Sequence, residues 1–241
     1  MCWSASASVA MVAVGSVATV LAVRRAETPA IPVTFAYFTA MEALQAAGYP
    51  YVDQCGSPQS QTIALLSYLH ITFQPFFANA FAMAIVGRAV GAPMRIIAYL
   101  VCCVSAVTML MQLFPFDWAG QCVLGTALCG SGLCTVSGEW HLGWTIPYNN
   151  MIPALVPWPG FAFVFPTYFI AVFLVPLFYG AWRIALFHVL FGPILASSLT
   201  SNANEFPAIW CLFSVGIIVI GLSPWIRQRV RGPGGLTPRM S

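Results

Sequence analysis

An all-α, polytopic membrane bundle of seven spanning helices is the fold class this sequence predicts, and three observations predict it. Of the 241 residues, 60% are hydrophobic and 6% charged, with a mean hydropathy of +0.85. That is more apolar surface than a soluble core absorbs. Apolar stretches of spanning length recur along the whole chain. The nine basic residues, all arginine, fall where one side of a seven-span bundle would put them.

Taken in order, the apolar stretches predict spans at about 4–23, 29–48, 61–86, 94–115, 159–180, 182–201 and 207–226, within a single domain covering 1–241. Arg24 and Arg25 follow the first span, and Arg88 and Arg95 separate the third from the fourth. Arg183 divides the fifth from the sixth, and Arg227, Arg229, Arg231 and Arg239 form the tail. With seven spans all of these share one side, so the positive-inside rule puts the amino terminus outside and the carboxyl terminus in the cytoplasm of a cell-membrane protein. Six or eight spans would scatter them. The opening MCWSASAS has no positively charged region, so a cleaved signal peptide is not expected. The third span is long enough to tilt or to kink at Pro75.

Acidic residues show the opposite asymmetry. Glu27 sits beside the inner arginine pair, whereas Asp53, Asp117, Glu139 and Glu205 map to outer connections and Glu42 to the outer half of span two. Asn202 followed by Glu205 has capping-box spacing at the start of span seven. Cys55, Cys122, Cys129 and Cys134 also fall in outer loops, where disulfides are expected. Three pairings are possible, and Cys129 with Cys134, or one of those two with Cys55, are favoured. Their spacing does not match a zinc knuckle.

The long outer loop, 116–158, is the most unusual segment. Its second half is too hydrophobic for a solvated loop, and Pro147, Pro153, Pro157 and Pro159 oppose a continuous span. It reads as a lid or re-entrant segment with Trp140, Trp144, Tyr148 and Trp158 at headgroup level.

Candidate chemistry centres on histidine and glutamate within or near the spans. His70 lies ~14 Å below the outer end of span three by helical rise, with Gln74 one turn deeper, and Glu42 lies ~9 Å below the outer end of span two. Gln45 continues the polar stripe outward. His188, in the inner half of span six, is expected to hydrogen-bond between helices. Glu42, His70, Gln74 and Glu139 are the candidate catalytic residues, and His70, His141 and Glu205 the candidate metal ligands. Two imidazoles and a carboxylate would suit zinc, a second glutamate would activate its water, and Gln74 or Tyr68 would orient a ligand.

The resulting expectation is an outward-facing pocket, covered by the 139–158 segment, in a metal-dependent hydrolase of a lipid or small amphiphile. No HExxH, HxxxH or GxSxG pattern accompanies it. Two alternatives belong to other classes. One is a small-molecule or proton transporter or receptor-like bundle, suited by the Pro and Gly interruptions at Pro32, Pro75, Pro166, Pro176, Gly192 and Pro193. The other is a cofactor-holding subunit of a larger membrane complex. The partners implied are the lipid bilayer, a lipid or small amphiphilic ligand, and further copies or subunits. Topology and an anionic inner leaflet account for the arginines without nucleic acid.

The stretches MCWSAS, FTAMEALQ, YLHITFQPFFANAF, LCTVSGEWHLGW and SNANEFPAIWCLFS together resemble an uncharacterised family of bacterial multi-pass membrane proteins. That resemblance implies a single seven-span domain and no particular activity. The plan is also distantly similar to ceramidase-like and progestin-receptor-like membrane hydrolases, whose paired histidines on the last span have no counterpart here.

Overall fold

The computed structural model describes residues 4–87, 90–155, 165–213 and 216–231. A helical segment stands at each of the seven predicted positions. Helix α1 runs Ala5–Arg24, α2 Ala30–Gly48, α3 Pro58–Val86 and α4 Ala92–Met111. The long connection then builds a hairpin, β1 (Cys134–Ser137) and β2 (Leu142–Thr145), and a short helix α5 (Met151–Leu155). Helix α6 (Pro166–Phe178) and α7 (Trp182–Leu199) follow, then α8 (Phe206–Phe213), α9 (Gly216–Leu222) and α10 (Pro224–Arg231).

By length and composition α1, α3, α4 and α7 can each cross a membrane, and the bent run from α8 to α10 would make a fifth. Helix α2 has spanning length but includes Glu42 and Gln45. Helix α6 is shorter; the stretch 156–164, which holds Trp158 and the start of the predicted fifth span, lies outside the described residues. Arg88 and Arg239 lie outside them too. The predicted seventh span is shortened, because the helix stops at Leu222 and bends sharply into α10 at Ser223–Pro224.

Helices α1 to α4 pack in succession, α4 packs on α6, α6 on α7 and α7 on α8, and α8 and α9 return to α2 and α1, closing the bundle. Small residues set the first contact. Ser8, Gly15, Ala18 and Ala22 form the inner face of α1, and a methyl group on Gly15 would overlap the Thr39 hydroxyl of α2. The opposite face, Val9, Val14, Val17, Val20 and Val23, is exposed, as are Ile96, Ile97, Leu100, Val104 and Val107 of α4. Such continuous apolar faces are what a bilayer solvates.

Pro75 does not break α3. The amide of Asn79 donates to the Pro75 carbonyl at 2.9 Å and to the Ala171 carbonyl of α6 at 2.9 Å, while Tyr179 donates to its oxygen at 2.8 Å. Ala171 lies in a π-turn, Ile170–Leu174, and α7 carries a second one, Leu190–Ile194, over Gly192 and Pro193. Side-chain and backbone donors that re-satisfy such freed carbonyls let broken helices persist in an apolar surround.

The two ends of the bundle differ. At one, arginines act as staples. Arg227 forks onto Glu27 at 2.8 and 2.9 Å and reaches the Gly221 carbonyl, Arg25 donates to the Leu222 carbonyl at 3.1 Å, and Arg183 donates to the Arg229 carbonyl. Cations at carbonyls that end a helix are favourably placed. At the other end lies a compact cap built from residues 112–155.

Candidate functional site

The cap is assembled by three sets of contacts, and together they decide what the predicted site residues can do. Disulfides Cys55–Cys134 and Cys122–Cys129 staple it. Cys134 therefore pairs with Cys55, and the Cys129–Cys134 alternative does not form. Strand β1 docks on the start of α3, where Thr135 donates its N–H to the Ser60 hydroxyl at 2.9 Å and its own hydroxyl to the Ser60 carbonyl at 3.2 Å. Asn149 closes the end of α4, donating to the carbonyls of Met111 at 2.9 Å and Phe114 at 2.6 Å. Met111 is the last residue of α4 and Phe114 lies in the turn that follows it, so Asn149 ties the cap to the exit of that helix.

Glu205 adds a further tie. Its carboxylate is fully buried and accepts from the backbone N–H groups of Glu139 at 2.8 Å, Trp140 at 2.7 Å and His141, and from the Thr200 hydroxyl at 2.7 Å. Successive backbone N–H groups curled around one anion form a nest. Two glycines permit the approach. A Cβ on Gly143 would stand 2.7 Å from the Asn204 carbonyl oxygen, and one on Gly138 would strike the Glu205 carboxylate. The capping box expected of Asn202 and Glu205 does not form, because Glu205 turns to the hairpin. Asn202 accepts instead from the Asn204 N–H at 3.0 Å.

Glu205 thereby anchors the cap, its two oxygens accepting from four donors. His141 is likewise committed. Its Nδ1 accepts the Leu142 N–H at 2.7 Å, so the neutral ring carries its proton on Nε2 and offers no free lone pair there. Burial pushes the His141 imidazole down to about 3, which keeps it neutral. Glu139, expected as a base, is exposed and accepts from the hydroxyl of Ser201 at 2.7 Å and its N–H at 3.3 Å. The Ser201 hydroxyl bond holds its carboxyl below the usual range, the wrong direction for a proton acceptor. Among the described residues no group of three His, Cys, Asp or Glu side chains is close enough to hold a metal ion, so the set His70, His141 and Glu205 is not assembled.

The other candidates part company within the helices. His70 packs at the α2–α3 seam, stacked on Tyr37 with ring centroids 3.8 Å apart, and lines a groove on the outside of the bundle. Tyr68, considered as an orienter, instead donates to the Met109 carbonyl at 2.8 Å. Gln74 faces inward, into a chamber of about 60 Å³. One helical turn advances the direction by about 40°, enough to put the two side chains on different walls of the same helix. Glu42 is buried and neither carboxyl oxygen has a hydrogen-bond partner among the described residues. It lies within electrostatic range of Cys211 and Tyr49. Gln45 donates to the Ala208 carbonyl at 3.3 Å. His188 is buried against the edges of Phe173 and Phe187.

This small, partly open chamber is the candidate site. Ile71, Gln74, Met109, Tyr168, Trp210 and Cys211 form its walls, and Ala127 and Leu128 of the cap form its roof. The Gln74 Nε2 is buried without a hydrogen-bond partner among the described residues. Trp144 and Tyr148, expected at headgroup level, are fully buried within the cap. Trp210 and Cys211 escaped the sequence reading because an apolar span gives no signal of which face lines a void.

The chain belongs to a family of unknown function (DUF5765), whose model matches residues 6–231. That covers nearly every element described above. Neither the curated proteins nor the solved structures compared with this chain returned a match.

Proposed function

We propose that this chain is a seven-span cell-membrane protein, amino terminus outside, that binds a small and mainly apolar ligand in the chamber beneath its disulfide-stapled cap. The observation that carries this reading is the Gln74 amide, a buried donor without a partner that lines an otherwise apolar void roofed by the cap. A buried N–H left unpaired costs on the order of 1–3 kcal/mol, and a ligand carbonyl or hydroxyl would recover it. Apolar pockets with one or two polar groups are the usual form of small-ligand sites. The orientation is supported by disulfides at one end of the bundle and arginines at the other.

A ligand-binding, receptor- or transporter-like role therefore fits the geometry better than a zinc hydrolase, whose ligand set would require Glu205 and His141 to abandon their present partners. To test it, protein purified in mild detergent without chelators would be analysed by elemental mass spectrometry and by thermal unfolding with short-chain ketones, alcohols and amides. We expect no stoichiometric metal, and a rise in unfolding temperature that Gln74→Leu removes. Stoichiometric zinc would restore the hydrolase, and equal stabilisation of Gln74→Leu would reject the chamber.

Glu42 supports proton coupling as a second reading. Its carboxyl is buried without a hydrogen-bond partner among the described residues, within electrostatic range of Cys211, which lines the chamber, and an intramembrane carboxyl in that state is a proton-carrier candidate. Reconstituted vesicles whose ligand uptake ignores a proton gradient, or Glu42→Gln protein that still responds to one, would remove it.

A further inference from the structure

Outside the bundle, α2 and α3 leave an open groove of about 450 Å³ floored by Ala40 and Ala43 and walled by Tyr37, Leu66, Leu69 and Phe73. Ala43 and Phe73 are exposed, so the groove faces whatever surrounds the helices. His70 lies along it, 8% exposed, and its Nε2 is buried with no hydrogen-bond partner among the described residues. The ring is fixed rather than mobile. It stacks on Tyr37 with centroids 3.8 Å apart and meets Phe38 edge-on at 6.5 Å, while the Tyr37 hydroxyl donates to the His70 backbone carbonyl.

His70 is twelve residues from the start of α3, ~18 Å along the helix at 1.5 Å per residue. On the membrane-spanning reading proposed above, on which this inference rests, that depth puts the imidazole inside the hydrocarbon layer, where water is scarce and an unpaired polar group is expensive. The groove walls are apolar, so the surrounding hydrocarbon chains wet them without penalty. What the hydrocarbon cannot supply is a partner for the imidazole. An amphiphile bearing a hydroxyl supplies both, since a hydroxyl can donate to or accept from either ring nitrogen.

We infer that the α2–α3 groove binds a single-chain amphiphile from the bilayer, its chain lying over Ala40 and Ala43 and its hydroxyl hydrogen-bonded to His70. This site is separate from the chamber, because His70 and Gln74 open on different sides of α3.

The test uses two photoreactive probes of equal chain length in vesicles holding the full chain, diazirine-bearing hexadecanol and diazirine-bearing hexadecane. Cross-linked peptides would be mapped by mass spectrometry. We expect the alcohol to label the Leu66–Phe73 peptide several-fold more than the hydrocarbon. His70→Phe, which keeps a ring stacked on Tyr37, should bring the alcohol down to the hydrocarbon level. Ala43→Trp, at an exposed position, should block both probes there while leaving labelling of the exposed face of α1 unchanged. Equal labelling by the two probes, an alcohol preference that survives His70→Phe, or full labelling of Ala43→Trp would each overturn the site.

Discussion

Glu205 and Trp140, 65 residues apart in the chain, are joined by a 2.7 Å hydrogen bond from the Trp140 backbone to the buried Glu205 carboxylate. With the neighbouring Glu139 and His141 amides and the Thr200 hydroxyl, this bond ties the hairpin turn to the connection between α7 and α8. The cap is thereby held by an anion in a ring of donors rather than by apolar contact alone.

Replacing Glu205 with alanine should leave those donors buried and unpaired, at a cost of about 3 kcal/mol or more. Glu205→Gln keeps one carbonyl acceptor and should cost less. Thermal unfolding in detergent gives the ranking, and hydrogen exchange at 139–141 should rise in both variants. An unchanged midpoint in Glu205→Ala would show that the cap does not depend on this anchor.

The two disulfides should differ in weight. Cys55–Cys134 closes a separation of 79 residues and Cys122–Cys129 one of 7. The chain-entropy model gives about 4 kcal/mol for the long loop and about 2 for the short one. Paired serine substitutions measured in the same detergent should follow that order. Peptide mapping without reductant should recover these two bridges, and a Cys129–Cys134 peptide would contradict the cap as described.

Acidification should loosen the cap through His141. Burial lowers the folded-state value to about 3 against an ordinary value near 6.5. The unfolded chain therefore takes up a proton first, so stability is intact above about pH 6.5 and falls as pH drops from there toward 3. Between pH 7 and 5 the loss from this group is about 2 kcal/mol. His141→Gln, which retains an acceptor for the Leu142 N–H, should be less stable at neutral pH yet show a flatter decline. A profile as steep as that of the parent would assign the acid sensitivity elsewhere.

Asn79→Ala should weaken the packing of α3 on α6. It removes the donor to the Pro75 and Ala171 carbonyls and the acceptor for Tyr179. Interhelical hydrogen bonds inside bilayers are individually modest, so the expected loss is about 1–2 kcal/mol. Asn79→Asp, which keeps the acceptor and loses the donors, should recover only the Tyr179 contact. Unfolding in the denaturing detergent sodium dodecyl sulfate would separate the variants.

Helix positions were legible from the sequence because each apolar run exceeds what a loop can carry. The starts and ends of α1, α2, α3 and α4 fall close to the hydropathy breaks. The gathering of arginines at one end was legible for the same reason. Illegible was the hairpin in the long connection, since its short strands alternate too briefly to stand out. The partner of Glu205 was illegible too, because its donors are backbone amides, which every sequence contains.

By itself the sequence determined an apolar helical bundle with oppositely charged ends, since composition and the spacing of arginines are properties of the chain alone. Only the tertiary structure decided that His70 and Gln74 face different spaces, that the Glu42 carboxyl is buried without a hydrogen-bond partner among the described residues, and that Glu205 and His141 bond within the cap. Helical spacing says which side chains are neighbours on one helix. The rotation of that helix against its partners, set by packing, decides what each of them meets.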